Sequence, residues 1–411
     1  MGKIRIFALL TVFVLLISTF AVATPSTNID VSAETAVMMD AKTGQVLYDK
    51  EMHKQMYPAS ITKIMTTILA IENLGLDDKI TMSAEAVDAV SRNASHIALT
   101  EGEVITVREA VYSALLASAN DACNGIAEAV SGSMGDFAKL MTDKAKEFGC
   151  EGTNFTNSNG LKDENHYTTA YDMAKITQHG LKNATWREMF GCRRYEMPPT
   201  NKQDEIRYLN NQHKMIFEKS DYYEGIVGGK TGYTTVAKNT LVTVAERDGV
   251  ELIVVVMKCQ QGADTYSDTK KLLDFGFENY KALKISNEDI PQKSPDGTGV
   301  KLEEPVSVLV LKDVQKVETE VSVRGNEAKL IAKLDGEEIG TFPLTITAKA
   351  TAKTEEVEEE GGGIGFFGVL FIVLGSIAGL FLLIIIVLYV RKEIYLYRRR
   401  RARRLQRRNR K

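Results

Sequence analysis

The strongest constraint on the fold is an apolar strand that needs partners from a distant part of the chain. Residues Leu252–Val256 are all apolar, and the turn Arg247–Gly249 separates them from a second predicted strand, Asn239–Ala245. An uninterrupted apolar run of this length indicates a strand buried on both faces of a sheet. Near the amino terminus, Ala36–Asp40 and Gln45–Asp49 indicate two further strands joined by a turn.

The residues between these strand regions favour helices. Thr106 and Glu109 have the spacing of a capping box at the start of a helix. An amphipathic helix is predicted over Phe137–Phe148, and another over Tyr171–Leu181. Strands at both ends with helices between them predict one α+β domain, residues 24–283, whose sheet joins distant segments.

A change of composition after residue 283 predicts a second, smaller domain. Short alternating runs are separated there by Gly, Asn, Asp and Glu, which is typical of a small all-β domain over residues 284–352. These runs are Val306–Leu311, Val317–Val323, Ala328–Leu334 and Phe342–Ala348. An acidic and glycine-rich stretch, residues 353–365, is interpreted as a linker.

The two ends of the chain predict export and a membrane anchor. Residues 1–23 have the layout of a secretory signal peptide, although an uncleaved amino-terminal anchor has a similar pattern. Residues 366–390 carry no charge and are long enough to cross a bilayer as a helix. Residues 391–411 carry twelve Lys or Arg and one Glu, so we expect them to be a cytoplasmic tail. The predicted location is the cell membrane, with a single crossing and the catalytic domain outside the cytoplasm.

Charge and cysteine content exclude some classes of function. The whole chain has a formal charge of −3 despite its basic tail, so the exported part is acidic, which argues against a nucleic-acid partner. Four cysteines, Cys123, Cys150, Cys192 and Cys259, allow either two disulfides or buried free thiols. The histidines are scattered and form no metal-binding pattern, so we expect neither a metal site nor another cofactor.

The segment after Pro58 places a hydroxyl beside an amine. Pro58 disfavours helix at Tyr57, and the residues after Ala59 are predicted to form a helix. Ser60 then lies in the first helical turn, and Lys63 follows on the same face. Unpaired backbone N–H groups at a helix start favour developing negative charge. A nucleophile, a base and part of an oxyanion site are therefore predicted within one turn.

Three short motifs occur in a meaningful order. Ser60-Ile61-Thr62-Lys63 is followed by Ser118-Ala119-Asn120 in a break between helices, and then by Lys230-Thr231-Gly232 on a predicted strand. Class A β-lactamases and penicillin-binding proteins share this set of motifs.

Chance copies of each motif also occur. Ser267-Asp268-Thr269-Lys270 repeats the first pattern, Ser26-Thr27-Asn28 and Ser91-Arg92-Asn93 repeat the second, and Lys42-Thr43-Gly44 repeats the third. Ser26 and Lys42 precede Ser60, which is the wrong order, and Ser267 has no partner motif after it. Ser91 fits the order, but Ser118 is preferred because helices are predicted on both sides of it.

The chain resembles the serine-type D-Ala-D-Ala carboxypeptidases (peptidase family S11), the low-molecular-weight penicillin-binding proteins. Besides the three motifs, the resemblance rests on Tyr57–Ser60, Ser118–Ala122, Asn157–Leu161, His166–Asp172 and Gly229–Thr234. It implies a penicillin-binding, β-lactamase-like fold, in which helices flank an antiparallel sheet and form a helical subdomain. The small β domain and a carboxy-terminal membrane anchor also match the family's layout, but the anchor is predicted as a full transmembrane crossing where many relatives end in an amphipathic helix.

The resemblance assigns a role to each motif residue. It implies that Ser60 is the nucleophile, that Lys63 is its base, and that Ser118 passes a proton to the leaving amine. Asn120, Lys230, Thr231 and Gly232 would bind substrate, and the backbone N–H groups of Ser60 and Tyr233 would form the oxyanion hole. A neutral Lys63 requires a pKa lowered by burial and by a nearby cation, for which Lys230 is the candidate.

The chain departs from its relatives at two places. The glutamate that class A β-lactamases use for deacylation has no matching pattern here, and Glu164 is interpreted as part of a solvated loop. Some family members carry an arginine near the end of the strand after Lys-Thr-Gly, where this chain has Met257–Gln260.

The leading hypothesis is a carboxypeptidase that removes the terminal D-alanine from peptidoglycan stem peptides and is acylated by β-lactam antibiotics. A β-lactamase and a non-catalytic scaffold that binds cell wall are the alternatives.

Overall fold

The computed structural model describes residues 29–217 and 220–348. The predicted signal peptide, the linker, the membrane segment and the basic tail lie outside these residues. Within the described part of the chain, no helix has both the length and the apolar character needed to cross a membrane.

A five-stranded antiparallel sheet forms the centre of the larger domain, in the order β2-β1-β9-β8-β7. Its strands are β1 (Thr35–Asp40), β2 (Val46–Lys50), β7 (Ile226–Thr234), β8 (Lys238–Arg247) and β9 (Val250–Cys259). Two short two-stranded antiparallel sheets lie outside this sheet. One pairs β3 (Lys79–Thr81) with β4 (Val104–Thr106), and the other pairs β5 (Arg194–Met197) with β6 (Arg207–Asn210). The predicted union of amino-terminal and carboxy-terminal strands is confirmed, because β1 pairs with β9.

Eight α-helices occur among the described residues, and they account for the helical middle of the chain. They are α1 (Lys63–Asn73), α2 (Ala84–Asp88), α3 (Val107–Leu116), α4 (Asn120–Ser131), α5 (Met134–Glu147), α6 (Ala170–Leu181), α7 (Ala184–Phe190) and α8 (Gly262–Asn279). The predicted capping box is present, since Thr106 accepts a hydrogen bond from Glu109 N and the Glu109 carboxylate accepts one from Thr106 N.

Burial on both faces explains why residues Leu252–Val256 of β9 are all apolar. Ile253 and Val255 belong to a core that the sheet shares with α1 and α3–α7, whereas Leu252, Val254 and Val256 belong to a second core under α8. Side chains alternate between the two faces of a strand, so neither face tolerates a polar residue here. The chain therefore has the predicted α+β architecture, with helices on both faces of an antiparallel sheet.

The strands after α8 form a small β region with its own core. It contains β10 (Tyr280–Ile285), β11 (Gly299–Lys301), β12 (Val306–Leu311), β13 (Glu318–Arg324), β14 (Glu327–Leu334) and β15 (Glu337–Ala348). The first of these, β10, pairs with β12, and the other four form a sheet in the order β11-β15-β14-β13. Strand β10 follows α8 without a loop and spans the expected domain boundary at residue 283.

Candidate active site

Ser60 lies on a tight turn that precedes α1. A 3₁₀ turn spans Ala59–Thr62, and the α-helix begins only at Lys63. The prediction that Ser60 belongs to the first α-helical turn is therefore wrong in detail, although 3₁₀ turns at helix starts are common. Ala59 has a φ of 53°, which is strained for a residue with a side chain. The Thr240 hydroxyl donates to the Pro58 carbonyl at 2.9 Å and fixes the turn to β8.

Lys63 contacts Ser60 directly. Its Nζ lies 2.9 Å from Ser60 Oγ and donates to the Asn159 carbonyl at 2.7 Å. The Lys63 side chain is fully buried. The predicted pairing of hydroxyl and amine is therefore present in the structure, with a backbone carbonyl as an additional partner of the amine.

Strand β7 passes close to the Ser60 turn. A Cβ atom on Gly232 would meet Thr240 Oγ1 at 2.4 Å and Ser60 N at 3.0 Å, so only glycine fits there without displacing the turn. Tyr233, the next residue, is 64% exposed on the open side of the strand. The backbone of β7 and the N–H of Ser60 are thus brought together as the predicted oxyanion site needs.

Two buried lysines interact electrostatically. Burial lowers the pKa of Lys63 to about 8. Burial together with the positive charge of Lys63 lowers the pKa of Lys230 to about 7. The predicted repulsion between the two ammonium groups is present. Since each ammonium disfavours the other, the pair has access to a state with one cation and one neutral amine near neutral pH.

Ser118 and Asn120 lie in the break between α3 and α4, as predicted. Ser118 has a φ of 57°, and α4 begins at Asn120, whose N–H donates to the Ser95 carbonyl at 2.9 Å. The next carboxylate, Asp121, accepts from the N–H groups of Ile97 and Leu99. These backbone bonds hold the segment before β4 beside the start of α4.

The motif residues from all three segments line one open cleft of about 730 Å³. Its walls include Ser60, Ser118, Asn120, Thr231, Gly232 and Tyr233. Lys63 and Lys230 are buried behind these residues. Among the described residues, no cluster of three or more His, Cys, Asp or Glu side chains has the geometry to hold a metal ion.

Comparisons with known proteins agree with this geometry. Residues 19–261 match the family model described as D-alanyl-D-alanine carboxypeptidase. The chain belongs to this family.

Similar proteins extend the match beyond the catalytic domain. The D-alanyl-D-alanine carboxypeptidase DacF of Bacillus subtilis is 34% identical over 352 residues, which is 81% of this chain and 88% of that protein. A D-alanyl-D-alanine carboxypeptidase of Streptomyces sp. strain K15 is 31% identical over 62% of this chain and 91% of that protein. The solved structure of penicillin binding protein 5 from Haemophilus influenzae covers 78% of this chain and 98% of its own, with a TM-score of 0.66 and 25% identity. These matches confirm the penicillin-binding, β-lactamase-like α+β fold.

The two residues at which this family member departs from its relatives lie away from the motif residues. Lys258 pairs with Glu34 at 2.8 Å, so it does not take the place of the arginine that some relatives have. Glu164 is exposed and lines a separate groove with Tyr57 and Tyr167. The interpretation of Glu164 as part of a solvated loop agrees with this position.

The four cysteines of this carboxypeptidase family member are free thiols in the structure, so no disulfide joins any two of them. Burial raises the pKa of the Cys123 thiol, which is fully buried on α4, to about 11. Cys123 interacts electrostatically with both Lys63 and Lys230.

Sequence reasoning missed the segment that supports Lys63. Asn157–Leu161 was expected only as a family signature, yet it supplies the carbonyl that Lys63 binds. His166 Nδ1 accepts from Thr156 N at 3.0 Å, so its Nε2 carries the proton and donates to Thr62 Oγ1 at 2.9 Å. Burial lowers the pKa of His166 to about 4, which keeps the ring neutral. Only the polar, turn-rich composition of the segment gave a signal for this arrangement.

Proposed function

We propose that the protein is a serine D-Ala-D-Ala carboxypeptidase that removes the terminal D-alanine from peptidoglycan stem peptides through an acyl-enzyme on Ser60. The observation that carries the proposal is the 2.9 Å contact between Ser60 Oγ and the buried amine of Lys63. Family membership supports the same reaction.

The first step forms the ester. Neutral Lys63 takes the Ser60 hydroxyl proton while Oγ attacks the carbonyl carbon of the penultimate D-alanine. In the free protein, pKa values of about 8 for Lys63 and about 7 for Lys230 allow one neutral and one charged amine near neutral pH, with Lys230 the more acidic of the two. The reaction needs the distribution in which Lys63 is neutral and Lys230 is charged. Binding of the substrate carboxylate near Lys230 would favour this distribution, because a nearby anion stabilises the charged form.

The cleft offers groups for each part of the substrate. Lys230 and the Thr231 hydroxyl would hold the terminal carboxylate, and Asn120 would donate to the peptide backbone. The substrate would lie along β7, where Gly232 leaves no side chain in its path. The N–H groups of Ser60 and Tyr233 would stabilise the oxyanion of the tetrahedral intermediate.

The second half of the cycle releases both products. The bond between the carbonyl carbon and the leaving nitrogen breaks, and the amine of the released D-alanine gains a proton through Ser118. Water then attacks the ester, which regenerates the Ser60 hydroxyl and frees the shortened stem peptide. A β-lactam would acylate Ser60 by opening its ring amide. Its leaving group would stay attached, so deacylation would be slow.

The test is acylation and product release with purified protein. We expect one penicillin per chain by intact mass, bound at Ser60, and stoichiometric D-alanine release from a D-Ala-D-Ala peptide. The Ser60→Ala variant is expected to lose both. Rapid catalytic turnover of penicillin would instead indicate a β-lactamase, and binding to cell wall without acylation would indicate a scaffold.

The location is a separate part of the proposal. Residues 366–390 would cross the cell membrane once, with the catalytic domain outside the cytoplasm and the basic residues 391–411 inside. A chain ending at residue 352 is expected to leave the membrane fraction, whereas the full chain stays there after an alkaline wash. Equal release of both chains would contradict the crossing.

A further inference from the structure

Asn124 is a buried amide one helical turn after Asn120 on α4. It is 3% exposed, and it does not belong to the residues that line the cleft in the described part of the chain. Its Nδ2 donates to the Ala86 carbonyl at 3.0 Å, which fixes the orientation of the amide. The other end of the amide, Oδ1, is therefore held in place as an acceptor.

The acceptor of Asn124 holds the segment 157–161. Asn124 Oδ1 accepts from Ser158 Oγ at 3.0 Å and from Asn159 Nδ2 at 3.2 Å. Two consecutive side chains of the segment are thus fixed to a single atom on α4. Because all three side chains are buried, water cannot replace these bonds if they are lost.

The backbone of the same two residues contacts α1. The Ser158 carbonyl accepts from Thr66 Oγ1 at 2.5 Å, and the Asn159 carbonyl accepts from Lys63 Nζ at 2.7 Å. Gly160 then lies so close to the Ser60 turn that a Cβ atom there would meet the Ala59 carbonyl at 1.9 Å. A shift of this segment would therefore reach Lys63 and the Ser60 turn together.

We propose that Asn124 is a positioning residue for Lys63, because it fixes the carbonyl of Asn159 against the lysine amine and closes the space behind it. The proposal rests on the proposed function, in which Lys63 accepts the Ser60 proton. The hydrogen bonds of the Asn124 side chain go to Ala86, Ser158 and Asn159 rather than to Ser60 or Lys63, so its influence passes through the segment 157–161.

The expected signature is a change in how acylation depends on pH. The titratable groups that interact electrostatically with Lys63 are Lys230 on β7, Cys123 and Asp121 on α4, and His166 after the segment 157–161. A substitution at Asn124 replaces none of these four residues. If the segment moves and water reaches the amine, the protonated form of Lys63 becomes easier to maintain, and acylation requires a higher pH.

The experiment compares the pH profile of penicillin acylation in wild type, Asn124→Leu and Ser158→Ala. For Asn124→Leu we expect the acylation rate constant at pH 7 to fall by about 10- to 100-fold, as misplacement near a catalytic group does. The pH at which the acylation rate constant rises should increase by roughly one pH unit. Ser158→Ala removes one of the two bonds and should show a smaller shift in the same direction.

The matched control is Gln178→Leu. Gln178 is also a buried amide, and it donates to the Ala41 carbonyl at 3.0 Å, away from the cleft. We expect this variant to lower the melting temperature without moving the acylation profile. An unchanged profile in Asn124→Leu overturns the proposal, and if that variant fails to fold, an unchanged profile in Ser158→Ala does so. Wild-type protein that penicillin does not acylate at all overturns the proposed function instead.

Discussion

Two regions of the molecule carry the same Ser-x-x-Lys pattern with different surroundings. Lys63 is fully buried and bonds Ser60 Oγ, whereas Ser267 and Lys270 are both exposed on α8. Asp268 and Thr269 are the buried residues of the second region, and Asp268 accepts from the Ser32 hydroxyl and Ala33 N–H and fixes the amino-terminal segment. The same spacing therefore gives a reactive pair in one place and a structural anchor in the other.

The Lys-Thr-Gly motif repeats the comparison. Lys230 is 1% exposed on β7, an edge strand of the sheet, while Lys42 is exposed in the turn between β1 and β2 and donates to the Gly249 carbonyl. Gly232 allows β7 to approach Ser60 N, but Gly44 serves a turn with a φ of 81°. For these two motifs, burial and neighbouring groups, rather than the motif letters, distinguish the residues at the cleft from their copies.

The largest expected difference is between the variants in which Ser60 or Ser267 is replaced by alanine. Ser60→Ala should lower D-alanine release by at least about 10⁴-fold, because no other hydroxyl can replace the nucleophile. Ser267→Ala should leave release within error of wild type. A steady-state assay with a D-Ala-D-Ala peptide measures both, and a loss of activity in the Ser267 variant would break the comparison.

Replacing the lysine of each Ser-x-x-Lys pattern, Lys63 or Lys270, should give acylation rates that differ almost as much. Lys63→Met is expected to slow acylation by about 10²- to 10⁴-fold, since a positioned base contributes that much. Lys270→Met should acylate at the wild-type rate. Stopped-flow binding of a fluorescent penicillin gives the rate constants, and near-normal acylation of the Lys63 variant would show that another group is the base.

A smaller effect is expected for the Lys-Thr-Gly lysines. Lys230→Met should lower kcat/KM for a D-Ala-D-Ala peptide by about 10²-fold, because a hydrogen bond to a charged group contributes about 1.5–3 kcal/mol. The loss should be much smaller for a peptide whose terminal carboxylate is amidated. Lys42→Met provides the control and should treat both peptides as wild type does.

The smallest expected effect concerns stability. The pKa of Lys63 is lowered to about 8, so between pH 8 and pH 10 the unfolded chain binds a proton that the folded chain lacks. Unfolding free energy should therefore rise with pH in this window, by at most about 1.4 kcal/mol per pH unit for this group. Lys63→Met should flatten that rise in urea titrations, and Lys270→Met should not. Parallel curves for wild type and Lys63→Met would contradict the buried-amine account.

Much of the fold could be predicted because local patterns and tertiary burial agree. The apolar run Leu252–Val256 requires cover on both faces, and the structure supplies it. The capping box predicted at Thr106 is also present, and it marks the start of α3. The boundary at residue 283 illustrates the limit, because the change of composition there falls inside β10, which follows α8 directly and pairs with β12.

The candidate site was predictable as residues but not as contacts. The order of the motifs predicted that Ser60, Ser118 and Lys230 share one cleft, and the structure places them around it. The carbonyl of Asn159 could not be foreseen, because a backbone group has no sequence signature. The 3₁₀ turn at Ser60 was missed for a related reason: the close approach of Gly160 and β7 that constrains it comes from segments far along the chain.

The central claim is that burial lowers the pKa values of the Lys63 and Lys230 amines. NMR titration of isotope-labelled lysine side chains in the purified protein tests it directly, with Lys63→Met and Lys230→Met for assignment. The account predicts two amines that titrate near pH 7 to 8, each missing from its own variant. Titration of both Lys63 and Lys230 above pH 10 would contradict it.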